Sequence, residues 1–397
     1  MIENSRHSSE GKIRQGLFVA AGLALGVAVS NGLGRFAYAL ILPAMRGDLG
    51  WSYTQAGALG TANAVGYLVG SIVALVCVRR LGASGLFQIG MWITAAGLLA
   101  TGLTNDFTLL MALRFIVGVS GAVIFITGSV LAASIFPDNP RLAASTISIY
   151  FAGGGVGLLL PGLTLPWLIS AGGDSAWPWA WIGMGIFSLL VCFATAAAAR
   201  AVDAPARQRS PYPWPKAPLM PTFISYAFFA LGYFAYMTFI IAWMREHGAD
   251  AIQVSIVWVV LGVSTILSSR IWSGPIASWR GGRPLAAIQL AVSIGAILPL
   301  FGTSLPLLMA SAALFGFFFM IPAGITALVK KSLPAVVWGE AVAAFTLLFS
   351  VMQLAGPIFT GVVADRTGSL AWGLALSGII LLVGTVIALF QRDVARA

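Results

Sequence analysis

Long apolar runs separated by short polar turns fill most of the sequence. Each run has about 20 residues or more, the length that an α-helix needs to cross a hydrocarbon core about 30 Å thick. The runs and the turn signals between them predict twelve membrane-spanning helices. Their expected bounds are 17–44, 52–78, 84–104, 107–135, 142–170, 176–199, 221–244, 252–279, 284–303, 304–329, 335–363 and 370–391. The junction near Gly302 is the least marked, because almost no polar residue separates the ninth and tenth runs.

The pattern of the first half recurs in the second half. Residues 34–38 read GRFAY and residues 232–236 read GYFAY, a shift of 198 positions in a chain of 397. The same shift relates three further pairs: Gln55 and Gln253, Gly118 and Gly316, and Phe151 and Phe349. We therefore expect an all-α polytopic membrane protein of two pseudo-symmetric six-helix bundles. The expected units are residues 1–199 and 221–397, joined by a basic, proline-rich cytoplasmic linker, residues 200–220, that lies beside anionic membrane lipid.

Composition supports the membrane assignment and excludes several other classes. Hydrophobic residues make up 59% of the chain and charged residues 9%, a balance typical of polytopic membrane proteins. The formal net charge is +10, but the basic residues lie between apolar runs and not on one patch, so we expect no nucleic-acid partner. The two cysteines, Cys77 and Cys192, fall inside apolar runs and have no metal-ligand spacing. No metal or cofactor site is predicted.

The distribution of basic residues predicts the orientation in the membrane. Of the 22 Lys and Arg residues, three lie on the side opposite the N-terminus: Arg46, Arg245 and Arg366. Three more lie within runs, and all the others fall on the side of the N-terminus, which by the positive-inside rule is cytoplasmic. We expect a multi-pass protein of a bacterial-type inner (cytoplasmic) membrane with both termini in the cytoplasm. The first run is too long for a signal peptide and remains as the first span.

One basic residue, Arg35, lies in the interior of the first run. A charged side chain at this depth is costly in hydrocarbon, so it faces a partner, the protein interior or a watery cavity. Asn31 lies four positions before it and Tyr38 three positions after it, which puts all three side chains on one helix face. The equivalent position in the second repeat is Tyr233, so the scaffold is duplicated and the charge is not. That asymmetry favours a single substrate site between the halves.

A second basic residue, Arg270, lies about 15 Å inside the cytoplasmic end of the eighth run, counted at about 1.5 Å per residue, and we expect it to be buried. Acidic residues are missing from the middle of the runs; only Glu340 falls inside one, in its first turn. The two histidines, His7 and His247, lie outside the runs. Buried arginines without buried acids predict an electropositive cavity that a substrate carboxylate neutralises. Protons are a candidate coupling partner, carried by the anion itself.

Further polar and aromatic residues are candidates for the walls of this cavity: Asn63, Tyr67, Tyr150, Phe151, Tyr233, Tyr236 and Gln353. Aromatic walls suit an organic substrate. For each aromatic residue the alternative is packing or contact with lipid, and for Asn63 and Gln353 it is a hydrogen bond between helices. Small residues and prolines of the fifth and eleventh runs predict hinges or close helix crossings, with plain packing as the alternative: Gly154, Gly157, Pro161, Gly356 and Pro357.

Two motifs resemble the major facilitator superfamily, and the arrangement of two six-span repeats extends the resemblance over the whole chain. Leu113-Arg114-Phe115 with Gly118 and Gly121 in the fourth run resembles the RFxxG signature of that superfamily. The glycine-proline run of the fifth span resembles its antiporter-type motif. The resemblance implies a transporter that works as a monomer, with Arg114 coupling conformational change to protons.

Two other segments narrow the resemblance. Residues 34–45 and residues 353–368, which end in ADRTG, are similar to the YbfB-like transporters. A basic residue in the eighth helix is also a feature of the oxalate/formate and monocarboxylate porters of the same superfamily. This similarity implies that Arg270 holds a carboxylate.

The leading hypothesis is a secondary transporter, a symporter or an antiporter, that moves a small organic anion of the monocarboxylate type by alternating access. The alternative is an efflux transporter of lipophilic or aromatic compounds, in which the tyrosines bind and the arginines are structural. A membrane sensor is a third hypothesis, because Ala74 and Val78 stand where the superfamily's gating loop usually has glycine and aspartate. An enzyme is least favoured, since we find no nucleophile-base pair, metal cluster or phosphate-binding loop in the sequence.

Overall fold

The structure is a computed structural model that describes residues 2–202, 216–334 and 337–393. Helices account for nearly all of these residues. Fourteen α-helices and no β-strand occur in these ranges. They are α1 (Ile2–Val27), α2 (Tyr38–Leu49), α3 (Tyr53–Thr101), α4 (Phe107–Ser134), α5 (Pro140–Gly172), α6 (Trp177–Arg200), α7 (Met220–Glu246), α8 (Ala251–Ser278), α9 (Arg283–Ile297), α10 (Leu305–Phe315), α11 (Met320–Ser332), α12 (Trp338–Met352), α13 (Ala355–Thr367) and α14 (Leu370–Leu389). The all-α prediction is confirmed.

These helices supply 12 segments long and apolar enough to cross a membrane, as the sequence predicts. The first segment combines α1, a π-helix at Ala28–Phe36 and α2. Helix α3 holds the second and third segments and bends at Gly82, whose φ of 69° lies in the left-handed region that glycine tolerates best. The ninth segment ends at Phe301 and the tenth begins at Leu305, so the weakly marked turn near Gly302 is confirmed.

The two repeats have the same capping motif at the start of α3 and at the start of α8. The Ser52 hydroxyl accepts a hydrogen bond from the Gln55 N–H, and the Gln55 side chain accepts one from the Ser52 N–H. Asp250 and Gln253 form the same capping box at the start of α8. Each box satisfies backbone donors that the first turn of a helix leaves free. The repeated glutamines therefore begin equivalent helices in the two halves.

The largest contacts between the two halves come from four helix pairs: α2 with α7, α3 with α12, α3 with α13, and α5 with α8. We call the end of the bundle with the turns at 50–52, 102–106 and 247–250 the distal side, and the end with residues 202 and 216 the linker side. A Cβ added to Gly361 of α13 would lie 2.5 Å from the backbone oxygen of Tyr53, and one added to Gly155 of α5 would lie 2.8 Å from that of Gly262. The halves are therefore closed on the distal side.

The linker side is more open. On α8 the face that packs against α5 at Gly262 and Ile266 continues to Arg270 and Ser273, and both of these residues are exposed. A cleft between the halves therefore opens towards the linker side. The predicted unit boundaries remain predictions, and most of the predicted linker, residues 203–215, lies outside the described residues.

The predicted glycine and proline positions of α5 and α13 form close contacts between helices. A Cβ on Gly157 would lie 2.5 Å from the Ala28 oxygen, within the first half, whereas one on Gly154 would lie 2.6 Å from the Phe319 ring of the second half. Pro161 is buried in α5. In α13, a Cβ on Gly356 would lie 2.8 Å from the Leu231 oxygen, and Pro357 lies against Gly57 of α3. These residues form tight crossings, and their role as hinges stays a prediction.

Candidate functional site

Arg35 lies between the two halves and is 5% exposed. One of its terminal nitrogens, Nη2, donates a hydrogen bond of 2.9 Å to the Tyr233 hydroxyl and another to Gln353 Oε1. The Tyr233 hydroxyl in turn donates to Gln353 Oε1 at 3.3 Å. Arg35 belongs to the first half, whereas Tyr233 of α7 and Gln353 beside α12 belong to the second. The sequence names all three residues as candidates, and the structure brings them together across the interface.

Arg35 sits in the π-helix Ala28–Phe36, all nine residues of which are buried. The Ala37 N–H donates to the Gly32 oxygen at 2.8 Å, a bond that spans five residues instead of the four of an α-helix. Gly32 makes the segment possible, because a Cβ there would lie 2.3 Å from Gly157 of α5. Such wide helical turns are rare and are found frequently at functional sites.

Aromatic rings enclose the guanidinium of Arg35. Its Cζ lies 4.4 Å from the ring centre of Phe234, 4.9 Å from that of Tyr67 and 5.7 Å from that of Phe36. Each contact is within the range in which a cation is attracted to the face of a ring. Phe234 comes from α7 and Tyr67 from α3, so the ring contacts also involve both halves. These contacts stabilise the cation without neutralising it.

Several buried hydrogen-bond donors at Arg35 and on the segments around it have no partner. Within residues 2–202, 216–334 and 337–393, no Asp or Glu forms an ion pair with Arg35, and its Nε has no hydrogen-bond partner. Two amide nitrogens, Nδ2 of Asn31 and Nε2 of Gln353, also have no hydrogen-bond partner. Asn31 is 4% exposed and Gln353 is 0% exposed. Buried donors are normally satisfied. The site can therefore accept a ligand that brings hydrogen-bond acceptors and a negative charge.

Five rings of the second half form what we call the aromatic stack: Tyr226, Phe229, Tyr233, Phe318 and Phe349. The centre of the Tyr233 ring lies 5.1 Å from that of Phe229, 5.4 Å from that of Phe349 and 5.7 Å from that of Phe318. The Tyr226 ring lies 5.2 Å from that of Phe349. Phe349 is half-buried, so part of the stack is accessible. The stack offers flat apolar surface directly beside the Arg35 network.

A shorter series of rings lies in the first half. Tyr67 contacts Phe125 at 6.3 Å between ring centres, and Phe125 contacts Phe151 at 5.4 Å. Phe125 and Phe151 are half-buried. Tyr150, next to Phe151, is fully buried and donates to the oxygens of Ile124 and Phe125 at 3.0 Å each. Phe151 is therefore placed to meet a ligand, whereas Tyr150 joins α5 to α4.

Other predicted residues also bond within one half. The Asn63 amide donates to the Arg114 oxygen at 3.2 Å, and the Tyr236 hydroxyl is hydrogen-bonded to Ser311 at 2.7 Å. The Tyr38 hydroxyl donates to the Ala56 oxygen at 2.7 Å. These bonds are the helix-to-helix hydrogen bonds that the sequence leaves open as an alternative for Asn63. Gln353 differs, because its partner Arg35 is in the other half.

The expectation that Arg270 is a second buried cation is wrong. Arg270 is exposed on α8, on the face that continues from the contact with α5. The halves are parted at this level of α8, so the side chain is accessible. Arg35 and Arg114 are the buried pair instead, and Arg114 is 1% exposed.

Arg114 lies close to Arg35 and is also held by neutral groups. Its Nη1 donates to the Gly34 oxygen at 2.8 Å, and its Cζ lies 5.1 Å from the ring centre of Tyr38 and 5.2 Å from that of Trp181. A small cavity at the interface of the halves is lined by both arginines. The bond to Gly34 ties the fourth span to the π-helix that carries Arg35.

A second network, which sequence reasoning missed, joins the halves on the distal side. Asp365 of α13 accepts hydrogen bonds from the Tyr53 N–H at 2.9 Å and the Thr54 N–H at 2.8 Å, at the start of α3. The Tyr53 hydroxyl also bonds to Glu246 at the end of α7. Asp365 lies two residues after the end of the eleventh predicted run, and its partner lies 312 residues away, so the sequence alone does not connect them. We call the contacts of Asp365 with Tyr53 and Thr54 the distal latch.

The fold and the central interface define the class of protein. A bacterial homolog of the human lysosomal transporter Spinster superposes with a TM-score of 0.73 at 16% identity, over 95% of this chain and 96% of that chain. A variant of the nucleoside transporter NupG gives a TM-score of 0.68 at 13% identity, over 96% of this chain and 98% of that chain. The fold is that of the major facilitator superfamily of membrane transporters.

Sequence comparison assigns the chain to one family within this superfamily. The profile of the family described as "Uncharacterised MFS-type transporter YbfB" matches residues 27–389, and the chain belongs to this family. The protein is therefore a multi-pass membrane protein of a transporter family. "Uncharacterized MFS-type transporter YcaD" of Escherichia fergusonii is 31% identical over 108 residues, and the Escherichia coli O139:H28 protein of that name is 28% identical over the same length. These matches span 27% of this chain and 28% of the curated relatives.

Proposed function

We propose that the protein is a secondary transporter of a small organic monocarboxylate, and that Arg35 binds the carboxylate. The observation that carries this proposal is a buried guanidinium between the two halves whose side-chain hydrogen-bond acceptors, Tyr233 and Gln353, are both uncharged. A charged group buried without a counter-ion is costly. A carboxylate supplies the missing charge and pairs with the planar fork of an arginine through two hydrogen bonds.

The unpartnered donors favour a carboxylate over a neutral ligand. A carboxylate that replaces Gln353 Oε1 on Arg35 brings two oxygens with several lone pairs. The free nitrogens of Asn31 and Gln353 can then donate to it, together with Arg35 Nε. A neutral amide of the same shape carries only one oxygen and adds two donors, which this site already has in excess. The site therefore discriminates by charge and by acceptor count.

The rings around Arg35 favour an organic body on the carboxylate. The aromatic stack and Phe151 provide flat apolar surface on both sides of the cleft. Such surface gains free energy by burying the apolar part of a ligand, about 25 cal/mol per Å². The same surface supports the alternative function, efflux of lipophilic or aromatic compounds, in which Arg35 has only a structural role.

Transport follows if the two halves alternate between closure on the distal side and closure on the linker side. Arg35, Tyr233 and Gln353 contribute to one site from both halves, so a ligand bound there interacts with both moving parts. We infer a bacterial-type inner membrane with cytoplasmic termini, in which the linker-side cleft faces the cytoplasm. Arg270 then attracts anions into the cleft, and the carboxylate itself carries any coupled proton.

A thermal-shift comparison of charged and neutral isosteres tests this proposal. The purified protein is heated in detergent with benzoate, propionate, benzamide or propionamide, in the wild type, R35Q, R35K and R270Q. A ligand that binds the folded state raises the melting temperature by mass action. We expect the carboxylates to stabilise the wild type, R35K to bind more weakly, and R35Q to show no shift. Stabilisation by carboxylates that is equal in the wild type and R35Q overturns the proposal.

Two further outcomes separate the alternatives. We expect R270Q to keep the benzoate shift within about threefold in apparent affinity, because Arg270 is exposed and no hydrogen bond joins it to the Arg35 network. Uptake of benzoate into proteoliposomes should slow, because Arg270 no longer attracts the anion into the cleft. Stabilisation by benzamide as strong as by benzoate, unchanged in R35Q, supports efflux of neutral aromatic compounds instead.

A further inference from the structure

The cavity beside Arg35 and Arg114 lies on the distal side of the proposed carboxylate site. We call it the arginine cavity, and its walls include Arg35, Tyr38, Gly60, Arg114, Met237 and Thr238. Tyr38 and Thr238 each lie further along their helices towards the distal side than Arg35 and Tyr233. Arg35 and Phe234 therefore separate this cavity from the linker-side cleft and the aromatic stack.

Two positive charges line this cavity. Arg35 is 5% exposed and Arg114 is 1% exposed, and neither forms an ion pair with an acid of the described ranges. The Nε atoms of both residues are buried and have no hydrogen-bond partner there. The hydrogen-bond acceptors of the two guanidiniums are a backbone oxygen, a phenol and a carboxamide. Each of these groups is uncharged.

The charge count requires more than one anion. A substrate carboxylate at Arg35 neutralises one of the two guanidiniums, and the second remains uncompensated in a low-dielectric interior. The arginine cavity has room for about one water molecule, so it cannot hold a carboxylate with an organic body. A monatomic anion, which has no organic body, is the kind of ligand that this small volume and positive charge favour.

We propose that the arginine cavity binds a chloride ion, held by Arg35 and Arg114, as a resident anion distinct from the transported substrate. The cavity walls come from both halves, with Gly60 and Arg114 from the first and Met237 and Thr238 from the second. The complete site therefore exists only while the halves are closed on the distal side. Bound chloride stabilises that closed state and the fold of the ligand-free protein.

Gly60 gives a test that leaves the arginines in place. A Cβ at Gly60 would lie 3.5 Å from the Pro357 side chain and 3.8 Å from that of Thr238, which are ordinary contacts. The added methyl group therefore fits without a clash and occupies part of the cavity. Gly183 of α6 is a matched control, because a Cβ there has nothing within 4 Å.

The experiment measures melting temperature in sodium chloride and in sodium methanesulfonate at equal ionic strength, without any carboxylate. The methanesulfonate anion is polyatomic and too large for the arginine cavity. We expect a saturable stabilisation by chloride in the wild type and in G183A. G60A and R114Q should weaken the apparent chloride affinity by about tenfold or more. G60A should keep the benzoate shift, so failure of the chloride site is distinguishable from failure of the carboxylate site.

Two melting-temperature results overturn the proposal. One is equal melting temperatures in chloride and methanesulfonate for the wild type, and the other is a chloride response in G60A equal to that of G183A. Crystals soaked in sodium bromide provide a direct readout, since the anomalous signal of bromide should appear between Arg35 and Arg114. A bromide position elsewhere, with no peak in the arginine cavity, also contradicts the assignment.

Discussion

Asp365 of α13 accepts hydrogen bonds from both the N–H and the hydroxyl of Thr54, at 2.8 Å and 2.5 Å, and so holds the second half of the protein to the first residues of α3. The start of a helix carries free N–H groups and a partial positive charge, which a carboxylate stabilises. Asp365 therefore acts like a helix cap supplied by the other half. Closure of the distal side depends in part on this contact.

The substitution D365N should shift the protein towards states that are open on the distal side. The neutral amide loses the charge-assisted part of these hydrogen bonds, which weakens the latch by about 1–2 kcal/mol, or about five- to thirtyfold in the population ratio. A cysteine at Met237, 1% exposed in the closed state, reports the opening. With Cys77 and Cys192 replaced, we expect an impermeant maleimide added from the distal side to react faster in D365N.

Asp106 provides the control for this experiment. Its Oδ1 accepts a hydrogen bond from the Leu109 N–H at 2.8 Å and so caps α4 within the first half alone. D106N should change stability little, because asparagine keeps the Oδ1 acceptor and caps helices about as well as aspartate, and it should leave the labelling rate at Met237 unchanged. Equal acceleration by D106N and D365N would contradict a latch between the halves.

The substitution Q353E should imitate a bound carboxylate. Glutamate has nearly the shape of glutamine, and its oxygens would meet Arg35 where Gln353 Oε1 now accepts its hydrogen bond. We expect a higher melting temperature without ligand and loss of the benzoate shift. A Q353E protein that binds benzoate as the wild type does would show that the carboxylate binds away from Arg35.

The substitution Y233F should weaken the ligand-free network and leave the aromatic stack intact. The phenol accepts from Arg35 and donates to Gln353, so its loss costs about 1 kcal/mol in the free protein. A carboxylate restores a partner to Arg35, and the shift caused by benzoate should therefore be larger in Y233F than in the wild type. Y236F is the matched variant, since Tyr236 bonds to Ser311 within one half and its loss should not enlarge the shift.

The substitution G32A should disrupt the π-helix that carries Arg35. The added Cβ would lie 2.3–2.4 Å from the backbone of Gly157, so α5 and the π-helix must move apart. We expect a loss of about 1–3 kcal/mol in unfolding free energy in detergent, the usual range for overpacking, together with weaker benzoate binding. G183A adds the same methyl group in open space inside α6 and should lower neither quantity. An equally stable G32A would show that the close approach is dispensable.

The fold could be predicted from the sequence because its signals are local. The sequence shows apolar runs long enough to span a bilayer, and it shows a repeat with an offset of 198 residues. Neither signal requires knowledge of which residues are in contact. Arg35 was conspicuous for the same reason, as a charge inside an apolar run. Its pairing with Tyr233 and Gln353 across the halves agrees with the prediction of a shared central site, whose binding function stays a prediction.

The errors and omissions concern contacts that depend on how the halves meet. The depth of Arg270 along α8 does not reveal that the halves part at that level and leave the side chain exposed. The bonds of Asp365 to Tyr53 and Thr54 connect residues more than 300 positions apart, and no periodicity reports them. Gly32 and the π-helix were missed because a change from four-residue to five-residue hydrogen bonding leaves no mark in an apolar pattern.

Arg35 and Tyr233 occupy the same position of the two repeats and are hydrogen-bonded to each other, so the internal two-fold axis of the molecule passes between them. In a symmetric dimer of identical halves, the residue at this position would face its own copy. Two arginines there would repel, since a guanidinium has five donors and no acceptor. Only a chain in which the halves are fused and free to diverge can place one unpaired cation on its own symmetry axis. Divergence between the two repeats therefore makes a central charge physically possible on a repeated scaffold.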